Sequence, residues 1–317
     1  MKKEKIRYKD NIKAYKYLAP ALISIAILSV LPTLYNIFLA FTDYSIKNQN
    51  YPYGSENGWS IVGLYQFKQV LVGPLKSEFF PLLIWTLIFT TISTLGCYLV
   101  GLIFALVLND KNMKESFIYK GLLIIPWALP GAITIISYKS LFNSQYGAIN
   151  IILQNLHIIN EPVMWLTTPF SARLVVILVN IWLGFPYMMN VCIGSLTAIP
   201  TTYYEAADID GASGIQKFFK ITLPSLAKTS YPLLIANFAF NFNNFNSAFL
   251  LTEGGPTKAG SSFAGWTDLL GSATYKMSTS QGNFGLGAAM SILIFIIIAA
   301  LSIINMNISG QFKEVED

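Results

Sequence analysis

The sequence predicts an all-α membrane protein built from six transmembrane helices, and its low charge, its apolar runs and its placement of basic residues all indicate this fold class. Only 12% of the 317 residues are charged and 54% are hydrophobic, whereas about 25% of the residues of a soluble domain are charged. The mean hydropathy is +0.52, which leaves too few polar side chains to cover a soluble globule. The composition therefore argues against a soluble enzyme.

Each predicted helix corresponds to a continuous apolar run of roughly the 20 residues that a helix needs to cross the hydrocarbon core. The six runs cover residues 17–41, 80–108, 121–142, 172–199, 231–251 and 284–308. Because the runs are continuous rather than alternating, they are typical of helices and not of the strands of an outer-membrane barrel.

The basic residues predict the orientation of these helices. If the amino terminus is cytoplasmic, 14 of the 21 Lys and Arg residues lie on the cytoplasmic side, as the positive-inside rule requires. Both termini are then cytoplasmic, with a basic segment 1–16, a six-helix domain 17–308 and a tail 309–317. This topology accounts for the positive net charge, so we expect no nucleic-acid partner.

Several chemistries are excluded by residue type. Cys97 and Cys192 lie within apolar runs and His157 is the only histidine, so neither a disulfide framework nor a histidine- or cysteine-based metal site is expected. None of the six runs contains a carboxylate, which argues against coupling to protons or sodium, although backbone carbonyls can also bind sodium. The sequence also lacks a phosphate-binding G-x-x-x-x-G-K-[ST] loop. If the protein pumps a solute, another subunit supplies the energy.

The fifth run contains an unusual group of amides. Asn237, Asn241 and Asn244 are spaced i, i+4 and i+7, which predicts one polar helical face. Amides within a bilayer need partners, so this face should look into the bundle or into a wet cavity. Two interpretations are equally open at this point: the amides hold helices together, or they bind a neutral polyhydroxylated solute beside aromatic rings.

The loop between the fourth and fifth runs, residues 200–230, predicts a compact projection from the membrane. A capping box T-x-x-E begins at Thr202 and a second box, S-x-x-Q, begins at Ser213, with Gly211 between them. These signals predict two short helices joined at the glycine. A rigid projection of this kind suits a mechanical coupling element, because force does not pass through a flexible tether.

The same loop resembles the EAA loop of permease subunits of binding-protein-dependent ABC importers. The matching residues are Glu205, Ala206, Ala207, Asp210, Gly211, Ile221, Leu223 and Pro224. The resemblance implies the type I permease fold of these importers. It also implies that the loop seats in a cleft on a separate cytoplasmic ATPase subunit, with Glu205 and Gly211 as its signature positions.

Further stretches look like the larger permease subunit of maltose and maltodextrin importers. These stretches are 183–189, 218–224, 237–245, 251–256 and 265–270. In that subfamily the sugar is held by residues of the helices on either side of the EAA loop. The positions implied here are Gly184, Tyr187, Asn237, Phe240, Asn241 and Asn244.

The resemblance thus implies a non-catalytic permease subunit of an ATP-driven oligosaccharide importer in a bacterial cytoplasmic membrane. The implied partners are a second, homologous permease subunit, a dimer of ABC ATPases and an extracellular solute-binding protein. ATP and Mg²⁺ would bind to the ATPase subunits, and no cofactor is expected in this chain. The alternatives are an ion-coupled secondary sugar carrier and a membrane scaffold that transports nothing, and the identity of the oligosaccharide stays open.

Overall fold

A computed structural model describes residues 8–110 and 113–309. The described residues are mostly helical, and β-structure among them is limited to one isolated antiparallel bridge between Thr42 and Ile61. The helices are α1 (Tyr8–Ile25), α2 (Leu31–Leu39), α3 (Tyr65–Leu71), α4 (Lys76–Leu108), α5 (Ser116–Leu123), α6 (Ile125–Ala128), α7 (Gly131–Leu141), α8 (Ala148–Asn155), α9 (Pro169–Thr197), α10 (Thr201–Ile209), α11 (Gly214–Lys217), α12 (Leu223–Phe242), α13 (Asn246–Thr252), α14 (Leu270–Thr279) and α15 (Phe284–Ser309). Two π-helical turns, Ala26–Val30 and Phe218–Thr222, join α1 to α2 and α11 to α12.

Four of the six predicted spans are present as helices that are long and apolar enough to cross a membrane. A bent pair of helices supplies a fifth candidate. The four helices are Tyr15–Leu39, Lys76–Leu108, Pro169–Thr197 and Phe284–Asn307. The described residues therefore contain four candidate spans, or five if the bent pair is one span.

The third predicted run, 121–142, forms two helical arms that meet at 90° and not one straight helix. The first arm ends at Ala128 and the second begins at Gly131. Leu129 between them is extended, with ψ 149°. Pro130 explains the break, because the residue before a proline is disfavoured in the α region.

The prediction of an uninterrupted fifth helix over 231–251 is wrong. Helix α12 ends at Phe242 and α13 begins at Asn246. The amide side chains explain the interruption, since short polar side chains compete with the backbone for hydrogen bonds. The backbone N–H of Ser247 donates to Asn244 Oδ1 at 2.9 Å, which satisfies one of the donors that the first turn of α13 leaves open.

The described residues up to Pro74, together with Met277–Leu293, form one compact unit. In this unit, no residue of the most apolar stretch of the first candidate span, Tyr15–Leu39, is buried by the rest of the chain. Beyond α2, the Trp59 ring contacts Phe38, Tyr44 and Tyr53, with centroids 4.9–6.2 Å away. An aromatic cluster thus fixes the segment that follows the first span.

The second unit comprises Leu75–Lys276 and the described residues from Ile294 onward. Its core is formed by α4 and α9, which pack closely along their length. A Cβ added to Gly101 on α4 would lie 2.6 Å from the backbone nitrogen of Met189 on α9. Small residues of this kind let membrane helices approach closely, so Gly101 sets the distance between the two helices on which the site is built.

Candidate functional site

The second unit contains a cavity of about 500 Å³. Its walls come from α4, α6, α7, α9, α12 and α13. The lining residues are Cys97, Pro126, Trp127, Leu129, Gly131, Ile135, Asn180, Leu183, Gly184, Tyr187, Ala236, Asn237, Phe240, Asn241, Asn244, Asn246 and Ser247. None of these described residues carries a formal charge, and five of them are asparagines. The cavity therefore suits a neutral molecule that exchanges hydrogen bonds with amides.

Asn241 on the last turn of α12 lies at the centre of a hydrogen-bonded amide cluster. Its Oδ1 accepts a hydrogen bond from Asn180 Nδ2 at 2.9 Å. Its Nδ2 donates to Asn237 Oδ1 at 2.8 Å and to Thr94 Oγ1 at 3.0 Å. Asn241 is buried, so these three bonds satisfy a polar side chain that would otherwise be costly within the bundle.

Asn180 on α9 links this cluster to the other side of the helix break. Its Oδ1 accepts hydrogen bonds from Asn244 Nδ2 at 2.8 Å and from Ser247 Oγ at 2.9 Å, while its Nδ2 donates to Asn241. One buried amide thus contacts the end of α12, the interruption and the start of α13. Side-chain hydrogen bonds thus hold the broken segment together where the backbone hydrogen bonds of a continuous helix are missing.

The expected single helical face does not exist in the form that the spacing predicts. Asn237 and Asn241 lie one turn apart on α12, but Asn244 lies in the interruption after this helix ends at Phe242. Asn244 nevertheless lines the same cavity. The helix break, and not the i+7 spacing, brings it there.

All six residues that the resemblance implies as solute contacts line this one cavity. They are Gly184, Tyr187, Asn237, Phe240, Asn241 and Asn244. Their contact with a solute stays a prediction, but their convergence is a property of the fold. No motif in the sequence singles out Ser247, whose hydroxyl depends for its position on the unpredicted break.

Gly184 has a steric role beside the cavity. A Cβ added at this position would lie 2.7 Å from Cys97 Sγ on α4, which is closer than atoms in van der Waals contact approach. Glycine at 184 therefore lets α9 pass close to α4 where both helices border the cavity.

Aromatic rings form another part of the cavity wall. The rings of Trp127 and Tyr187 are stacked, with centroids 6.2 Å apart and planes inclined by 27°. Trp127 is 52% exposed and Phe240 is 73% exposed, and both residues line the cavity. Trp127 is not among the predicted site residues, because nothing in its apolar run distinguishes it.

In the loop 200–230 two helices meet at Gly211, as predicted, but only α10 is a separate short helix, because α11 continues through the π-helical turn Phe218–Thr222 into α12. Gly211 has φ +72°. The backbone N–H of Gly211 donates to the backbone oxygen of Asp208 at 3.1 Å, and the backbone N–H of Ala212 donates to the backbone oxygen of Ala207 at 2.9 Å. These two hydrogen bonds make a Schellman motif, which requires a left-handed residue and so favours glycine.

Only one of the two predicted capping boxes forms. Ser213 and Gln216 make the reciprocal bonds of a capping box at the start of α11. The box predicted at Thr202 is wrong, because α10 already begins at Thr201 and its N-cap is Pro200, without a side-chain cap. Thr202 is inside the helix and cannot cap it.

Side-chain contacts brace this loop. Lys217 forms an ion pair with Asp208, and the hydroxyls of Tyr204 and Thr222 lie 2.9 Å apart. Exposed positions of the EAA resemblance are Glu205, Ala206, Asp210, Gly211 and Pro224, and the half-buried ones are Ala207, Ile221 and Leu223. Exposed apolar side chains of the loop are Tyr203, Ile209, Ile215 and Phe219. An exposed apolar group on a braced loop is typical of a protein-binding surface.

Charged side chains cluster around the segment that follows α13. Lys139 Nζ lies 2.8 Å from Glu253 Oε1. The hydrogen bond from Lys139, together with the attraction of its charge, lowers the pKa of Glu253. Asp268 is fully buried and pairs with Lys276 at 2.7 Å. These pairs anchor the segment, and the sequence patterns assign no role to them.

Arg173 ties α9 to the same segment. Its guanidinium lies 4.2 Å from the Trp85 ring centroid and 5.2 Å from that of Trp266. Its Nε also donates to the Trp266 backbone oxygen at 2.7 Å. Cation–π contacts strengthen when they are shielded from water. Through these contacts Arg173 links α9 to Trp85 on α4 and to Trp266 in the segment that follows α13.

Comparisons with known proteins identify similar chains. Residues 83–311 match the family described as "Binding-protein-dependent transport system inner membrane component". The maltose/maltodextrin transport system permease protein MalF of Salmonella typhimurium is 42% identical over 272 residues, which are 83% of this chain and 52% of that protein. MalF of Vibrio vulnificus is 45% identical over 236 residues, which are 73% of this chain and 45% of that protein. The chain thus spans about half the length of the curated relatives that it matches.

A solved structure shares the fold of this chain. A chain of a bacterial ABC transporter involved in the import of the acidic polysaccharide alginate has a TM-score of 0.77, with 19% sequence identity. The match covers 96% of each chain. At this identity the likeness concerns the fold alone.

Proposed function

Since the chain belongs to the family of binding-protein-dependent transport system inner membrane components, we propose that it is the permease subunit of an ATP-driven importer of neutral oligosaccharides of the maltose and maltodextrin type. It contributes half of the translocation path and couples that path to a separate ATPase. The chain itself is not an enzyme in this proposal.

The cavity supports a neutral sugar as the solute. Its described lining carries no formal charge and combines amides with exposed aromatic rings. Amides exchange hydrogen bonds with sugar hydroxyls, and aromatic faces pack against sugar C–H groups. An acidic glycan such as alginate would instead call for cationic side chains. The relatives at 42–45% identity are named as maltose and maltodextrin permeases, which favours a glucose-based oligosaccharide.

The loop 200–230 supports coupling to an ATPase. Its EAA-type residues lie on α10, at the junction with the left-handed Gly211, and on the helix that begins with a capping box at Ser213 and continues into α12. Side-chain contacts brace the loop. In our proposal the loop inserts into an ABC ATPase dimer, which binds ATP and Mg²⁺. A second homologous permease subunit completes the path, and an extracellular solute-binding protein delivers the sugar.

The membrane arrangement in this proposal has six spans in a bacterial cytoplasmic membrane, with both termini in the cytoplasm. Four candidate spans are long helices, the third predicted run is the bent pair, and the fifth is the broken segment α12–α13. A broken helix at membrane depth is acceptable where it lines a cavity instead of lipid. The interruption between α12 and α13 borders such a cavity.

The convergence of all six implied solute contacts on one uncharged cavity is the observation that carries the proposal. The test is uptake of radiolabelled maltotriose into liposomes that contain this chain, its second permease subunit and its ATPase, with the solute-binding protein outside. We expect uptake only when ATP is enclosed. Uptake that follows an ion gradient without ATP would favour a secondary carrier. No uptake of maltotriose under any condition would favour a scaffold.

A further inference from the structure

A second, smaller cavity of the unit built on α4 and α9 lies between the start of α4, the start of α9 and the segment that follows α13. Its volume is about 30 Å³, which admits a water-sized group but not a sugar ring. Its charged lining residues are Arg173, Lys258 and Glu78, and it shares no lining residue with the cavity of about 500 Å³. We refer to it as the basic pocket.

The carboxylate of Glu78 does not neutralise the two cations of the basic pocket. Its Oε1 accepts a hydrogen bond from Ser262 Oγ at 2.9 Å, and its Oε2 accepts from Ser261 Oγ and from the backbone N–H of Ser262. None of the ion pairs among the described residues involves Glu78, Arg173 or Lys258. The basic pocket therefore carries one more positive than negative charge, and neither cation is paired with a carboxylate in the part of the chain that the structure describes.

Both cations contact the same aromatic ring. Arg173 Cζ lies 5.2 Å and Lys258 Nζ lies 5.5 Å from the Trp266 ring centroid. Arg173 Nε donates to the Trp266 backbone oxygen, whereas none of the described residues accepts a hydrogen bond from its two Nη groups. The ring offsets part of the charge, but two like charges that are held close together repel each other. An anion between them would remove this repulsion and accept charge-assisted hydrogen bonds from both.

Trp85 adds an unsatisfied donor to the residues that line the basic pocket. It is 6% exposed, and its Nε1 is buried without a hydrogen-bond partner among the described residues. An indole N–H can only donate, and buried donors in native structures nearly always have an acceptor. The lining thus combines excess positive charge with a donor that lacks an acceptor.

We propose that the basic pocket binds a chloride ion between Arg173 and Lys258. A water molecule would supply an acceptor but would leave the excess positive charge, and a phosphate or sulfate group, with four oxygens around its central atom, is too large for the volume. The bound ion joins α9 to the segment that follows α13, in addition to the contacts of Arg173 with Trp266. Chloride binding here does not depend on which solute the chain transports.

The test is the thermal unfolding of the full chain in a nonionic detergent, while chloride replaces gluconate at a constant sodium concentration. A thiol-reactive dye reports unfolding, because Cys97 and Cys192 are both buried in the fold. The wild type is compared with Lys258→Gln, Lys258→Arg and Lys139→Gln. Lys139→Gln is the matched control, because it also removes one positive charge but Lys139 pairs with Glu253 and does not line the basic pocket.

We expect the unfolding midpoint of the wild type to rise by about 2–4 °C with chloride and then to level off, since a ligand that binds only the folded state stabilises it. Lys258→Gln should lose this rise, whereas Lys258→Arg, which keeps the charge, and Lys139→Gln should retain it. A wild-type midpoint that ignores chloride, or an equal response of the wild type and Lys258→Gln, would refute the site.

Bromide provides a second measurement, which needs no variant and decides the matter if Lys258→Gln does not fold. In crystals of the wild-type chain grown with bromide in place of chloride, an anomalous-scattering peak is expected between Arg173 and Lys258. Water gives no such signal, so a pocket without the peak would show that it holds solvent and not an anion.

Discussion

Replacing Asn241 by leucine tests whether the amide cluster holds the broken segment α12–α13 in place. The substitution keeps the approximate size of the side chain and removes three hydrogen bonds, those to Asn180, Asn237 and Thr94. Asn180 and Thr94 are both buried, so they lose a partner that water does not readily replace. Asn237 is half-buried at the cavity wall and can be solvated.

The magnitude follows from this count of hydrogen bonds. Side-chain hydrogen bonds in membrane helix bundles contribute about 0.6 kcal/mol each on average. Three lost bonds, of which those to Asn180 and Thr94 join different helices, therefore amount to about 2 kcal/mol. The larger penalty of about 1–3 kcal/mol for each unsatisfied buried group in a soluble core is an upper limit here, because a wet cavity lies beside the cluster. We therefore expect Asn241→Leu to lower the free energy of unfolding by about 2 kcal/mol.

Unfolding in mixed micelles of increasing SDS content, followed by circular dichroism, measures this difference. Asn243→Leu is the matched control, because Asn243 is exposed, follows the last residue of α12 and donates through its Nδ2 only to the Ala239 backbone oxygen, outside the amide cluster. We expect the control to change the free energy of unfolding by no more than about 0.5 kcal/mol. Equal stability of the two variants would refute the view that the cluster braces the helix break.

Three further predictions concern other parts of the chain. Gly101→Ala should destabilise the protein by about 1–3 kcal/mol in the same assay, because its Cβ would press on the α9 backbone, whereas Gly121→Ala, where nothing lies within 4 Å, should be neutral or stabilising. Glu205→Lys should leave membrane insertion intact but prevent co-purification of the ATPase, and normal co-purification would contradict the coupling role. The lowered pKa of Glu253 means that its pairing with Lys139 stabilises the fold above the unfolded-state pKa of this carboxyl and is lost as the pH falls through the folded-state value. In the wild type the SDS midpoint of unfolding should therefore fall slightly at acid pH, and this fall should be absent in Glu253→Gln. If the midpoint depends on pH in the same way in both proteins, the pair does not stabilise the fold.

The sequence predicts the apolar helices well where a run is long and lacks punctuation. The spans around α4, α9 and α15 are located within a few residues, because their length and hydropathy leave no competing structure. The two failures occur where local chemistry overrides hydropathy. Pro130 bends the third run, and the Asn243–Phe245 stretch interrupts the fifth.

The sequence predicts which residues line the cavity but not the backbone geometry that brings them together. The resemblance names six residues that line one cavity, yet the spacing that aligns Asn244 with Asn241 depends on a helix that ends at Phe242. Trp127 escapes prediction because its position results from the 90° bend, which a run of apolar residues does not reveal. Arg173 escapes it as well, since its contact with Trp266 joins residues far apart in the sequence.

The hydrogen bonds of the amide cluster bear on the two interpretations of the asparagines, helix contact and solute contact. The hydrogen bonds of the Asn241 side chain go to Asn180, Asn237 and Thr94 of the protein itself, so this residue holds the helices together. Asn237 receives one bond from Asn241 through its Oδ1, and that bond fixes which end of its amide is occupied. Asn237 also lines the cavity. A buried amide thus orients an amide that lines the cavity, and the hydrogen bonds that brace the break also fix this orientation.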